Sequence, residues 1–215
     1  MPPPDPSDIV GAGYDRIAGR YLEWSRGSEL RVRQLERLLA LLPARASVLE
    51  LGCGAGEPVT RRLSEAHDVT AIDVSAAQLR LAARNAPRAR LVQADVLDLD
   101  FPRASFEAVV SFYALTHVPR ARHAQLLAGI ARWLRPGGIL FGTLGASDAP
   151  GAVDEDWLGV PMYFSHFDAA TNRALVEESG LELVEAEVIE EGESDPGAAF
   201  LWVLARAPRE GDGSR

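Results

Sequence analysis

Val48-Leu49-Glu50-Leu51-Gly52-Cys53-Gly54-Ala55-Gly56-Glu57-Pro58 is the stretch from which the architecture follows. Ser47–Leu51 reads as a short buried strand, and three alternate glycines end it. Residues 56–66 read as a helix. A glycine-rich turn between strand and helix lets backbone approach a ligand closely, and the helix start behind it carries free N–H groups. The spacing narrows the ligand. The G-x-x-x-x-G-K-[ST] pattern that wraps phosphates is missing, and Glu57 stands where the dinucleotide pattern G-x-G-x-x-G needs a third small residue. A carboxylate there would face a pyrophosphate badly, whereas Glu50 just before the turn suits a ligand with positive charge.

Working outward, strand and helix patterns alternate. Val69–Val74, Arg90–Ala94, Phe106–Phe112 and Ile139–Leu144 read as strands. Between them, helices are expected from a Ser75 cap through Asn85 and over 119–134. Residues 145–165 read as a long irregular stretch. A helix capped by Asp168 follows, and then strands 181–190 and 199–205 with no helix between them. This order predicts a doubly wound, mostly parallel seven-stranded sheet with helices on both faces and an antiparallel edge strand. Ahead of it, residues 7–43 carry two apolar helical stripes, the first capped by Ser7 or Asp8, expected as an N-terminal cap on a single domain whose core spans 44–207. Residues 1–6 and 208–215 are expected to be disordered.

Composition excludes several classes. The 215 residues carry a formal net charge of −9, which repels phosphate backbones and argues against a nucleic-acid partner. All 22 basic residues are arginine, so no lysine is available as a Schiff-base former or general base. The single cysteine, Cys53, cannot form an intrachain disulfide and reads as a small apolar filler. No apolar run reaches membrane-spanning length and no signal-peptide layout opens the chain, so a cytoplasmic protein without a membrane partner is expected, as a monomer or homodimer.

Asp73 closes the second strand, where a carboxylate can accept both hydroxyls of an adenosyl ribose, and Asp95 with Val96 follows the third, placed to hold an adenine edge. With these residues the chain resembles the class I S-adenosylmethionine-dependent methyltransferases of the small-molecule type, grouped with ubiquinone/menaquinone-biosynthesis-like enzymes. The segments that carry the resemblance are VLELGCGAGEP (48–58), AIDVS (71–75), QADVLDL (93–99), FEAVVSFYALTHVP (106–119), WLRPGGILFGT (133–143) and the N-terminal YDRIAGRY (14–21). The resemblance implies S-adenosylmethionine as cofactor, with Glu50, Gly52 and Gly54 along its methionine and ribose part. Asp73 would take the ribose hydroxyls, Val74 would pack on the adenine, and Asp95 with the Val96 amide would meet its amino edge. Ser111 and Phe112 would border the sulfonium, and Tyr14 and Tyr21 would cap the site. The spacing of the two tyrosines equally suits plain helix-face packing.

Transfer of a methyl group needs a nucleophile held in line, and a base only where the acceptor carries a proton. Candidate catalytic residues are His117, at the ligand-binding edge of the sheet, His166 in MYFSHF (162–167), and Tyr113, which would orient an acceptor. His117 also suits a helix-entry residue bonded to backbone, and His67 and His123 are expected on solvated helix faces. The ends of the fourth and fifth strands, Ser111-Phe112 and Thr143-Leu144, offer no set of oxygen ligands, so no metal is expected. The acceptor pocket is expected from the N-terminal helices and residues 145–167. Trp157, Met162, Tyr163 and Phe164 suit an apolar acceptor, or a lid buried on the core. The expected reaction is methylation of a hydroxyl or carboxyl oxygen of a small metabolite. The alternatives are N-methylation of an amine, a sulfonium-binding enzyme that does not methylate, and, more distantly, a nicotinamide-dependent oxidoreductase.

Overall fold

The computed structural model describes residues 4–191 and 197–209. Two helices come first, α1 (Pro6–Ser25) and α2 (Glu29–Leu41), followed by β1 (Ser47–Leu51), α3 (Val59–Ser64), β2 (Asp68–Asp73), α4 (Ala76–Asn85) and β3 (Arg90–Gln93). Then come β4 (Phe106–Ser111), α5 (His123–Trp133), β5 (Leu134–Gly145), β6 (Ala149–Trp157), β7 (Val160–His166), α6 (Ala169–Glu178), β8 (Glu182–Glu190) and β9 (Ala199–Arg206). Seven strands form one sheet in the order β3-β2-β1-β4-β5-β9-β8. The first five are parallel, and β9 runs antiparallel to both β5 and β8. The antiparallel strand is thus one place in from the edge, and β8 is the edge itself.

The central strands β1 and β4 are buried on both faces, as the apolar centre of β4 leads one to expect. Leu49, Leu51, Val109 and Leu140 face α5 and α6, packing with Leu127, Ile130 and Val176. Val48, Ala71, Ala108 and Val110 face the other side, against Leu35, Leu38 and Leu63 of α2 and α3. The order reverses between β1 and β4, and in such sheets ligands bind at that switch point, beyond the carboxyl ends of the strands.

Three expectations change. The first helix begins at Pro6, not after a Ser7 or Asp8 cap: Asp5 is the cap, its Oδ1 accepting from the Ser7 N–H at 2.9 Å, and proline is tolerated in a first helical turn. Asp5 and Pro6 are therefore ordered structure; residues 1–3 and 210–215 lie outside the described residues. Second, 145–165 is not irregular. It extends β5 to Gly145 and then forms the hairpin β6–β7, closed by Leu158 and Gly159 with φ of 48° and 77°. Two positive-φ residues are what a tight hairpin turn matched to strand twist demands. Register shifts between Ala149 and Ala152 and between Asp154 and Trp157 break the alternation that would have revealed the strand. Third, neither histidine sits on a solvated helix face: His123 opens α5 but is buried, with Nε2 against the Val118 carbonyl at 3.0 Å, and His67 lies off any helix, just before β2, its Nδ1 accepting from the Ala46 N–H at 3.2 Å.

Parallel pairing of β4 with β5 sets Gly142 beside Ser111. A Cβ on Gly142 would overlap the Ser111 carbonyl oxygen, which is backbone and cannot swing away. Gly142→Ala is expected to cost about 2 kcal/mol, lowering the thermal midpoint by about 6 °C at this chain length, read by circular dichroism melting.

Candidate active site

The glycine turn sits at the switch point. Gly52, Gly54 and Gly56 have φ of 74°, 54° and 80°, a region that side chains enter at a cost. The Gly52 and Cys53 N–H groups both donate to the Ile72 carbonyl, at 2.8 and 2.9 Å, lashing the turn to the end of β2. A Cβ on Gly52 would overlap that of Ala114, whereas one at Gly54 would meet nothing closer than Gln78 Oε1 at 4.0 Å. Gly54 therefore faces open space, and that space is a cavity of about 530 Å³.

Asp73 organises its floor. Its Oδ2 accepts from the Gly54 N–H at 2.8 Å and its Oδ1 from the Ser75 N–H at 2.9 Å. Burial raises its pKa to about 6, against the lowering effect of those two donors. Gly52, Gly54, Asp73, Val74, Asp95 and Val96 all line the cavity, as do Phe112, Tyr113 and His117 on the opposite wall, and Tyr14 and Tyr21 above. Asp95 also caps the turn Val96–Asp98, its Oδ1 accepting from the Leu97 N–H at 2.8 Å. Tyr113 has φ of 68°, and its ring packs on Phe200 and Trp202.

His117 is held at both nitrogens. Nδ1 lies 2.8 Å from the Tyr163 carbonyl oxygen and Nε2 2.9 Å from the Tyr14 hydroxyl. A carbonyl can only accept, so Nδ1 carries the proton and Nε2 accepts from Tyr14. Burial pushes the His117 pKa down to about 4 and that of Tyr14 well above the usual phenol range, so both are neutral and the pairing is self-consistent.

Three expected site residues are not in the cavity wall. Ser111 is fully buried, its Oγ donating to the Leu51 carbonyl at 3.1 Å, and it fastens β4 to β1 instead of bordering a ligand. Glu50 lies behind the glycine turn, 3% exposed, with Oε2 lacking a hydrogen-bond partner. His166 stands at the far end of β7, its Nδ1 at 2.7 Å from the Ser147 carbonyl, because the strand that carries it pairs away from the cavity with Ala149. The lid aromatics also differ from a lining role. Trp157, Tyr163 and Phe164 pack with buried Met162 against Val10, Tyr14 and Ile17 of α1, holding the hairpin on that helix.

One residue absent from the expected set joins α1 to the site. Asp15 Oδ1 accepts from Ser75 Oγ at 2.6 Å and from the Ala77 N–H at 2.8 Å. It follows Tyr14 directly, but nothing local to YDRIAGRY signals partners sixty residues away. Asp5, Ser7 and Asp8 also line the cavity, so the first turn of α1 is part of its wall. Among the described residues no group of three or more His, Cys, Asp or Glu could hold a metal ion.

A doubly wound sheet with a glycine turn, a carboxylate closing β2 and a cavity over both defines a nucleoside-binding class of α/β protein. Residues 48–138 match the family model described as a methyltransferase domain. Over 162 residues the chain is 34% identical to a malonyl-[acyl-carrier protein] O-methyltransferase of Enterobacter lignolyticus, covering 74% of this chain and 62% of the relative. Over 164 residues it is 37% identical to the 27-O-demethylrifamycin SV methyltransferase of Amycolatopsis mediterranei, covering 65% of this chain and 59% of that one. The matches thus span about three fifths of these relatives' lengths. The fold also matches the crystal structure of 1,6-didemethyltoxoflavin-N1-methyltransferase of Burkholderia thailandensis, with a TM-score of 0.73 at 22% identity over 97% of this chain and 92% of that one. Residues 48–138 thus carry a methyltransferase-domain match, and the fold is that of the class I S-adenosylmethionine-dependent methyltransferases.

Burial pushes Glu50 up to about 8 from 4.5, and the like charge of Asp73 adds to the rise, while Thr60 and Arg31 oppose it. The unfolded chain loses this proton near 4.5 and the folded chain near 8, so stability falls as pH rises between the two. Glu50→Gln removes that slope. Between pH 5 and 8 the thermal midpoint of the wild type is expected to fall by several degrees relative to the variant, measured by calorimetry in matched buffers.

Proposed function

We propose that this chain transfers the methyl group of S-adenosylmethionine to an oxygen of a small-molecule acceptor. The observation that carries the reading is the Asp73 carboxylate beneath open space at Gly54. The residues present fit that cofactor. The cavity is in the size range, roughly 300–1,000 Å³, of small-ligand and cofactor sites. Its floor offers a carboxylate and a side-chain-free backbone. Asp73 would hold the ribose, Val74, Asp95 and Val96 the adenine, and Gly52 and Gly54 the methionine part. When bound, the cofactor supplies an electrophilic methyl on a sulfonium, a good leaving group.

What the chain itself does follows from the far wall. Phe112, Tyr113 and the α1 tyrosines shape the acceptor end and keep water out. Tyr14 and His117 hold a proton path: an acceptor hydroxyl placed on Tyr14 passes its proton to the phenol oxygen as the phenol proton moves to Nε2 of His117. The Tyr163 carbonyl holds the imidazolium that results. A carboxyl acceptor arrives ionised and needs no such path. Tyr14→Phe is therefore expected to lower kcat by about a hundredfold with a hydroxyl acceptor and by much less with a carboxyl one.

The names of the two relatives, one acting on a malonyl group and one on a rifamycin hydroxyl position, support oxygen as the acceptor atom. The net charge of −9 supports a small metabolite over nucleic acid. No helix among the described residues is long and apolar enough to cross a membrane. We take the site of action as the cytoplasm and the active form as a monomer or homodimer.

The test has two parts. Calorimetry should show binding of S-adenosylhomocysteine, weakened at least about tenfold in Asp73→Asn by loss of a charge-assisted contact. Incubation with S-adenosylmethionine and a panel of phenols, carboxylates and amines should release S-adenosylhomocysteine with an oxygen acceptor. Release with amines alone would move the reading to nitrogen, and binding of nicotinamide dinucleotide in place of the homocysteine nucleoside would sink it.

A further inference from the structure

Tyr14 joins α1 to the proton path, so the way that helix sits over the sheet decides whether its hydroxyl meets His117. One side of α1 is held by apolar packing, with Val10 and Ile17 against Val160 and Met162 of the hairpin. Such packing is non-directional and leaves the helix free to turn about its axis. The other side is held by Asp15. Its Oδ1 accepts from Ser75 Oγ at 2.6 Å and from the Ala77 N–H at 2.8 Å, and hydrogen bonds do have a direction. The first turn of α4 contains no acid of its own, so the negative charge that a helix start favours comes to it from α1. Ser75 already caps that turn at the Gln78 N–H. What Asp15 adds is the orientation of α1.

Magnitudes decide whether that orientation matters. Side-chain tips stand roughly 5 Å from a helix axis, so a turn of about 10° moves them about 1 Å. The Tyr14 hydroxyl lies 2.9 Å from Nε2 of His117, and a shift of that size carries it out of bonding range. A misplacement of about 1 Å can cost about a hundredfold in rate. Resting on the proton path assigned above, we propose that Asp15 is a positioning residue: anchored on Ser75 and Ala77, it fixes the rotation of α1 that brings the Tyr14 hydroxyl to His117. Asp15 itself stands outside the cavity lining and acts only through Tyr14. The same anchor ties the path to the cavity floor, because the Ser75 N–H donates to Asp73 at 2.9 Å.

The test reads the Tyr14–His117 contact by nuclear magnetic resonance on the intact chain, with nitrogen-15 in its four histidines. Loss of an accepted hydrogen bond moves the resonance of an unprotonated imidazole nitrogen downfield. Tyr14→Phe gives the position of His117 Nε2 when the contact is lost, and His117→Gln assigns the signal. Asp15→Ala is expected to move Nε2 downfield, toward the Tyr14→Phe position. Asp15→Asn keeps an accepting Oδ1 without the charge and should stay near the wild type. In the Tyr14→Phe background, Asp15→Ala should move the signal no further. Asp15 is exposed and alanine is the best helix former, so the variant keeps the fold, which circular dichroism checks. A wild-type signal in Asp15→Ala would overturn the proposal. So would an equal shift in Asp15→Asn, which would mark an effect of charge and not of anchoring. A Tyr14→Phe signal equal to that of the wild type would overturn the proton path itself, and this proposal with it.

Discussion

The carboxylate of Asp73 is the contact on which the cavity depends. Its two oxygens take N–H groups from two different loops, Gly54 after β1 and Ser75 after β2. Burial opposes its charge, which is why its pKa rises to about 6 even with two donors in place. Those donors offset the cost of desolvation, and in return the ends of adjacent strands are held in one arrangement. The glycine turn can then present bare backbone to the cavity without collapsing into it. Ser75 extends the same network, because its hydroxyl caps α4 through the Gln78 N–H at 3.1 Å and donates to Asp15 of α1.

Through that hydroxyl the network reaches the roof. Tyr14 and Asp15 are neighbours in sequence, about 100° apart around a helix, and they reach opposite sides of the cavity. Asp15 grips the β2–α4 corner and Tyr14 grips His117 on the far wall. Small residues allow the helix to sit this low: Gly11 leaves ordinary contact distance to Val74, and a Cβ on Gly13 would press on Met162 and the Pro161 carbonyl. The β6–β7 hairpin closes over α1 from the other side, and its Tyr163 carbonyl fixes the tautomer of His117. Floor, roof and far wall are thus one hydrogen-bonded and packed unit.

Much of this was legible in the chain. The parallel strands were readable because short apolar runs recur between helical patterns, with Ala108–Val110 at the centre of β4 carrying the signature of a strand covered on both faces. The glycine turn and Asp73 were readable because both obey local rules at the end of a strand. The β6–β7 hairpin was not, since Pro150, Gly151 and three acids weaken its strand character and two register shifts erase its alternation. The Asp5 cap was hidden by the prolines on either side, which suggest a free tail until the helix behind them is seen.

The candidate site divides along the same line. Sequence alone determined the class of ligand, because backbone conformation at three glycines and a carboxylate at the end of the adjacent strand are set by residue type and spacing. Tertiary structure alone decided which side chains meet. Ser111 turned to the Leu51 carbonyl, His166 was carried away by its strand, and Tyr14 found His117 one hundred and three positions along the chain. Such pairings arise from how helices and hairpin dock on the sheet, and docking is governed by the shapes of surfaces assembled from distant segments. No local pattern encodes those shapes, so the partners of His117 and Asp15 became visible only in the folded molecule.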